Sequence, residues 1–72
     1  MVLPTKYMIE VLKQKYKPGL RVRLTSMKDI QAPPIGTLGT VIGVDDVGTI
    51  HVAWDTGSSL GVVYGEDTCI LV

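Results

Sequence analysis

The stretch TLGTVIGVDDVGTIHVAWDTG, residues 37–57, decides the fold. Apolar and polar or small residues alternate strictly along its second half, which is the pattern of a half-buried β-strand. The apolar residues of that strand are Ile50, Val52 and Trp54. Short turns flank the strand at residues 45–48 and 56–57, and Gly57 can supply the positive φ that a tight hairpin turn requires. Residues 37–57 therefore predict two antiparallel strands and the start of a second hairpin.

Working outward, alternation and turn residues predict five short strands. They cover residues 20–25, 37–44, 49–55, 58–64 and 69–72. Gly39 and Gly43 in the second strand indicate a bulge or a sharp bend. The one long loop, residues 26–36, contains prolines that cannot donate to a ladder. A sheet this small must curl or close to protect its edges and cover its core. The order predicts a mostly β chain that forms a small five-stranded SH3-like barrel.

A short N-terminal α-helix precedes the strands, at residues 5–16. Met8, Leu12 and Tyr16 are spaced four residues apart and share one face. Thr5 can cap the start of the helix, and Pro18-Gly19 ends it. The predicted organisation is a single domain, with the helix and its connector in residues 1–19 and the barrel in residues 20–72.

Composition fits one globular domain, because 72 residues are too few for two. Hydrophobic residues make up 46% of the chain and charged residues 19%, which is not the composition of a disordered segment. No apolar run approaches the ~20 residues of a membrane helix, so we expect no membrane partner. The single cysteine, Cys69, lies in an apolar run and predicts a buried reduced thiol. We therefore expect a cytoplasmic location.

Charge is distributed unevenly along the neutral chain. Residues 1–28 hold all seven basic residues and one acid, for a net charge of +6, and residues 29–72 hold six acids and no Lys or Arg, for −6. One interpretation, which we favour, is that the two halves complement each other inside the fold. The other is a basic surface for an anionic partner.

Most of the chain resembles a known family. The run PGLRVRLTSMKDIQAPPIGTLGTVIGVDDVGTIHVAWDTGSSLGVVYGEDT looks like the short bacterial and phage proteins of domain-of-unknown-function family 4314. The most specific segments are APPIGTLGTVIGVDD and IHVAWDTGSSLG, and the similarity extends from the helix segment VLKQKY to the last strand. That family carries no established activity, so the resemblance implies a fold and a bacterial, phage or mobile-element origin. The core GTLGTV…VAWDTGS…Y also resembles the peptide-binding barrel modules of mind-bomb-type ubiquitin ligases, without implying a ligand.

Aromatic residues are the first candidates for a binding site. Trp54 is in register with the apolar residues of its strand, which favours a place in the core or at its rim. The alternative is an aromatic platform that Trp54 forms with Tyr64 and with either Tyr16 or Tyr7. SH3-like grooves use such aromatics against extended peptides, and single-strand nucleic-acid binders use them for base stacking.

A second candidate site is a cluster of basic residues that could contact phosphates. It consists of Lys13, Lys15, Lys17, Arg21 and Arg23. Solvated lysines on the outer face of a helix are the simpler interpretation, which we favour. The sequence contains no aromatic-rich RNA-binding motif, zinc finger or Gly-rich phosphate loop.

Catalysis and metal binding receive little support from the sequence. The carboxylates fall at predicted turns, where they normally cap their own backbone. His51, the only histidine, should be exposed and lacks the further ligands of a zinc site. A triad would need a nucleophile, His51 and an acid converging in a pocket, and a small barrel offers little concave volume. We expect no enzymatic activity, no cofactor and no metal.

Three functional hypotheses follow from these observations. The first is a non-catalytic interaction module that binds a peptide or protein partner, in which the acidic turns at residues 45–46 and 66–67 would favour a basic partner segment. The second is a nucleic-acid-associated accessory protein of a phage or mobile element, whose binding would fall steeply with salt. The third is a structural homo-oligomer built through the helix face or a sheet edge, since so short a chain cannot fully cover its core.

Overall fold

One helix and five strands follow each other along the chain in the order that the sequence predicts. A computed structural model describes residues 3–72, so Met1 and Val2 of the predicted segment 1–19 lie outside the described residues. The elements are α1 (Lys6–Lys15), β1 (Arg21–Ser26), β2 (Leu38–Val44), β3 (Thr49–Trp54), β4 (Val62–Val63) and β5 (Thr68–Leu71). Helix, first strand, second strand and last strand agree with the predicted ranges to within about a residue, the ordinary uncertainty of element boundaries.

Local chemistry fixes both ends of α1. The Thr5 side chain accepts a hydrogen bond from the backbone N–H of Met8 at 3.1 Å, as an N-cap residue does. At the other end, the N–H of Tyr16 donates to the carbonyl of Leu12 at 2.8 Å. Pro18 then prevents further helix, because the residue before a proline is biased away from helical angles.

The five strands form one antiparallel sheet in the order β4-β3-β2-β1-β5. Strands β1 to β4 form a meander, and β5 returns to pair with β1 on the opposite side from β2. The register between β2 and β3 shifts between Val41 and Gly43, which confirms the predicted bulge in β2. No ladder joins β4 to β5 among residues 3–72, so the sheet is open there. The chain is thus mostly β, with five strands and one short helix.

The core lies on the inner face of this sheet. Its buried residues come from every element except α1, together with Tyr16 at the end of the helix, and they are Tyr16, Val22, Leu24, Val41, Ile50, Val52, Trp54, Val62 and Cys69. Burying each large apolar side chain contributes about 1.5–3 kcal/mol, so this set dominates the stability of a small domain. The predicted burial of Trp54 and Cys69 is confirmed.

The fourth strand is much shorter than predicted. The sequence predicts a strand over residues 58–64, whereas β4 contains only Val62–Val63. The carbonyls of Ser58 and Leu60 both accept hydrogen bonds from Trp54, the first from its backbone N–H at 2.9 Å and the second from its indole N–H at 2.8 Å. This segment therefore bonds to the end of β3 instead of extending the ladder, and the prediction is wrong for residues 58–61 and 64.

Helix α1 packs on the sheet of its own chain. The segment before the helix meets the β2–β3 turn so closely that a Cβ on Gly48 would lie 2.6 Å from Cγ of Pro4. Lys13 also reaches this turn, with Nζ 2.9 Å from Oδ1 of Asp46. These contacts place Leu12 and Tyr16 over the core. Within residues 3–72, no helix has the length and apolar character to cross a membrane.

Candidate partner-binding groove

A groove of about 200 Å³ lies where α1 meets the open side of the sheet. Its walls come from α1, the β2–β3 turn, β3, β4, the β4–β5 turn and β5. The lining residues are Leu12, Tyr16, Gly48, Ile50, Val62, Tyr64, Gly65, Asp67, Thr68 and Cys69. Most of this surface is apolar, as in sites that take an apolar side chain of a ligand. We refer to this feature as the groove.

Two of the three aromatic residues predicted for partner binding line the groove. Tyr16 is buried against the core, and its hydroxyl donates to the carbonyl of Cys69 at 3.3 Å. Tyr64 follows β4 directly and is partly buried. The ammonium of Lys15 lies 5.3 Å from the centre of the Tyr16 ring, within the range of a cation–π contact. The groove therefore combines two tyrosine rings with a cation close to one of them.

Trp54 is not part of the groove. Its side chain is only 3% exposed, and Leu60 accepts a hydrogen bond from its indole N–H. Gly39 lies beneath it, since a Cβ at that position would be 2.7 Å from Cε3 of Trp54. The Trp54 ring is covered and does not line the groove, so the interpretation of Trp54 as a core residue is confirmed. Tyr16 is also buried and supplies part of the groove wall, whereas Tyr64 is the more accessible of the two groove tyrosines.

Cys69 forms part of the groove wall, and its thiol has low reactivity. Burial raises the pKa of its thiol, and the nearby charge of Lys15 and a hydrogen bond with Tyr16 only partly oppose this effect. The thiol is therefore protonated at neutral pH, and a protonated thiol is a weak nucleophile. In the groove it acts as a small apolar surface.

Asp67 fixes the shape of the β4–β5 turn at the groove. One carboxylate oxygen accepts the backbone N–H of Val63 at 3.0 Å, and the other accepts the N–H of Lys28 at 3.1 Å. The neighbouring Glu66 pairs with the Lys28 ammonium at 3.2 Å. Sequence reasoning placed these acids in a turn, but it could not show that Asp67 ties the long loop to β4.

The predicted basic cluster is divided in the structure. Lys13 pairs with Asp46, and Arg21 makes a bidentate pair with Asp55 at 2.9 and 2.6 Å. The hydrogen bond to Asp46 raises the pKa of Lys13, and the bond from Arg21 lowers the pKa of Asp55. These pairs join the basic and acidic halves of the sequence, as internal complementarity predicts.

The remaining members of the cluster keep their charge available. Among residues 3–72, no carboxylate forms an ion pair with Lys15, Lys17 or Arg23. All three residues are exposed. Arg23 faces Ile70 of β5 across the ladder, and Lys15 lies at the Tyr16 ring. Lys15 thus brings free positive charge to the groove, and Arg23 brings it to the outer face of the sheet beside β5.

His51 is exposed, as predicted, and pairs with a carboxylate. Its Nε2 lies 2.8 Å from Oδ2 of Asp45, whose other oxygen accepts the backbone N–H groups of Val47 and Thr49. Asp45 therefore holds the β2–β3 turn together. In residues 3–72 no three His, Cys, Asp or Glu side chains are grouped as metal ligands.

The fold and the groove define a small, mostly β domain with an apolar, tyrosine-lined site beside an open sheet edge. The chain belongs to the family described as "Domain of unknown function (DUF4314)", whose model matches residues 5–72. The match includes the helix and all five strands, which confirms the family that the sequence resembles. No curated protein and no solved structure matches the chain.

Proposed function

We propose that this protein is a non-catalytic interaction module that binds a peptide or protein partner in the groove. The observation that carries the proposal is the position of Tyr16 and Tyr64 in one apolar concavity. Tyrosines offer a large contact area and a polar tip, and they lose little conformational freedom on binding. Their place beside a sheet edge suits a partner that presents one apolar side chain from an extended backbone.

The barrel type, the cellular location and the origin of the protein belong to the same proposal. The return of β5 to β1 is the strand order of an SH3-like barrel, and we propose that the open sheet is a barrel of this type with the groove at its gap. The single buried thiol supports a cytoplasmic location. The family resemblance supports a bacterial, phage or mobile-element origin.

Amide NMR of labelled protein tests this function directly. The titrants are peptides of about eight residues, roughly one strand in length, in which valine alternates with serine, glutamate or lysine. We expect peaks from Tyr64, Thr68 and Cys69 to shift with at least one peptide. Tyr64→Ala should weaken that binding about tenfold, the cost expected for a central aromatic contact.

The matched control is Tyr7→Ala, because Tyr7 is an exposed tyrosine on α1 that does not line the groove. We expect this variant to bind as the wild type does. The proposal is wrong if no peptide shifts the groove residues, or if both tyrosine variants lose affinity equally.

Nucleic-acid binding is the second candidate function, and the free cations Lys15, Lys17 and Arg23 favour it. The pairing of Lys13 and Arg21 reduces the predicted patch from five cations to three. A protein that neutralises three phosphates should show a slope of about −2 to −3 when log affinity is plotted against log salt. Titration with short single- and double-stranded oligonucleotides at low and then moderate salt measures this slope, and binding that persists at high salt would contradict this function.

A further inference from the structure

Successive residues of β5 point their backbone N–H and C=O groups alternately toward β1 and away from the sheet. Val72 N–H donates to the carbonyl of Arg21 at 3.1 Å, and the register pairs Arg23 with Ile70 and Val22 with Leu71. Hydrogen-bonded and non-bonded pairs alternate in an antiparallel ladder. The backbone groups of Ile70 therefore point to β1, and those of Cys69 and Leu71 point outward. The hydrogen bond from Tyr16 to the Cys69 carbonyl agrees with this assignment.

The opposite edge of the sheet is already occupied by its own turn. Val63 in β4 donates its N–H to Asp67, and its carbonyl accepts the N–H groups of Glu66 and Asp67 at 3.0 and 2.9 Å. Within the described part of the chain, Leu71 has no comparable partner on its outer side and is 39% exposed. The edge of β5 is therefore the one that can accept another strand.

The groove adjoins this edge. Thr68 and Cys69 of β5 line it, and the hydroxyl of Tyr16 contacts the edge carbonyl of Cys69. In an added strand, successive side chains would point to opposite faces. An apolar residue on the inner face could enter the groove, and its neighbours would point toward solvent.

The charge around the edge selects the chemistry of the added strand. Lys15 lies at the groove and Arg23 is beside Ile70, both without a carboxylate partner in residues 3–72. Lys17 comes two residues after the end of α1 and likewise has no carboxylate partner there. The nearby acids are engaged, because Glu66 pairs with Lys28 and both oxygens of Asp67 accept backbone N–H groups. The surface thus has an excess of positive charge. Two copies joined edge to edge would bring these cations together and repel.

We propose that the edge of β5 binds an acidic, extended peptide segment as an added strand, with an apolar side chain of that segment in the groove. This inference rests on the proposed function and adds the charge of the partner and the backbone that holds it. The peptide main chain pairs with the outward groups of Leu71, and its acidic residues approach Lys15, Lys17 and Arg23.

The three alternating peptides test the inference when they are compared at equal ionic strength. We expect the valine–glutamate peptide to bind about tenfold more tightly than the valine–serine peptide, and the valine–lysine peptide to bind more weakly than both. The amide of Leu71 should become protected from hydrogen exchange only in the bound state. Added salt should reduce the difference between the peptides.

Charge and backbone variants separate the two parts of the inference. The double variant Lys15→Glu and Lys17→Glu should reverse the order of the glutamate and lysine peptides. Lys6→Glu is the matched control, because Lys6 starts α1, about 13 Å along the helix axis from Lys15, and should leave the order unchanged. Leu71→Pro removes an outward N–H without removing a donor from the β1 ladder, so it should abolish binding of every peptide while the fold persists.

Each outcome decides a different point. Equal affinity for all three peptides at the groove would overturn the acidic partner and leave the proposed function intact. Binding without protection of Leu71 would overturn strand addition. Protection of Leu71 that grows with protein concentration in the absence of peptide would assign the edge to a second copy and overturn the inference. Oligonucleotide binding that shifts Lys15 and Arg23, with no peptide binding, would overturn both the inference and the proposed function.

Discussion

The two edges of the sheet, β4 and β5, border the same groove but differ in how far their outward backbone groups are hydrogen-bonded. At β4, the N–H and the carbonyl of Val63 are both satisfied by the turn that follows, chiefly through Asp67. At β5, the one hydrogen bond to an outward backbone group within residues 3–72 is that from the Tyr16 hydroxyl to the Cys69 carbonyl. Exposed edges invite pairing with other chains, and proteins usually cover them. The difference indicates that the chain protects one edge for stability and leaves the other available.

The largest effect should come from removing the support of the protected edge. Trp54 is buried, and its indole N–H bonds to Leu60 in the segment that leads into β4. Trp54→Ala should cost about 3–5 kcal/mol, because it deletes a core ring and leaves a cavity. A small domain has a total stability of only about 5–15 kcal/mol, so much of the variant should be unfolded at moderate urea.

Urea unfolding followed by circular dichroism measures this loss. Trp54→Phe keeps most of the ring but removes the indole donor, so it should lose clearly less than the alanine variant. A loss below about 0.5 kcal/mol for Trp54→Ala, the range of ordinary surface substitutions, would contradict its place in the core.

A smaller loss of stability should follow from a substitution that leaves the β4 edge as open as the β5 edge. Asp67→Ala removes the acceptor for the partly buried N–H of Val63, at a cost of about 1–3 kcal/mol for the donor left without a partner. It also removes the acceptor for the exposed N–H of Lys28, which water can replace. Hydrogen exchange at Val63 should then become as fast as at Leu71. Asp29→Ala is the control, because the Asp29 carboxylate accepts the N–H of Gln31 within its own loop. Unchanged exchange at Val63 would show that the carboxylate does not protect this edge.

Local patterns account for what the sequence could predict of the fold. Alternation in residues 49–55, the cap at Thr5 and the stop at Pro18 act over a few neighbouring residues, and the structure contains each of them. The prediction of the fourth strand was wrong because the segment bonds to Trp54 instead of extending the ladder. The backbone and indole N–H groups of Trp54 donate to the carbonyls of Ser58 and Leu60. A pattern within residues 58–64 contains no information about that competition.

The candidate site was predictable in its residue types but not in its assembly. Aromatic chemistry indicated Tyr16 and Tyr64, and the fold brings both to one groove although they are far apart in the sequence. Alternation correctly favoured burial for Trp54, the third aromatic candidate. The open edge of β5 depends on register with β1, and the free cations depend on which lysines find carboxylates, so neither could be read from spacing alone.

The smallest predicted effect is a loss of stability at low pH that arises from Asp45 in the β2–β3 turn, on the side of the β4 edge. Burial would raise the pKa of Asp45, but the bonds from His51, Thr49 and Val47 outweigh it, and the net pKa lies below the ordinary value. A carboxylate with a lowered pKa in the folded state stabilises the fold above its unfolded pKa of about 3.9, and this contribution is lost as pH falls through the folded value. Asp45 is 38% exposed, so screening by water keeps the contribution under about 1 kcal/mol.

Urea midpoints between about pH 7 and about pH 3 measure this response, which spans the titration of an aspartate. Asp45→Asn should flatten the acid limb, because it removes the carboxylate whose pKa is lowered by these bonds. Because Thr49 pairs with Val63 of β4, loosening of the turn should increase exchange at Val63 and leave Leu71 unchanged. An equal increase at both residues would mean that the two edges are coupled, and that the open edge of β5 is not an independent surface.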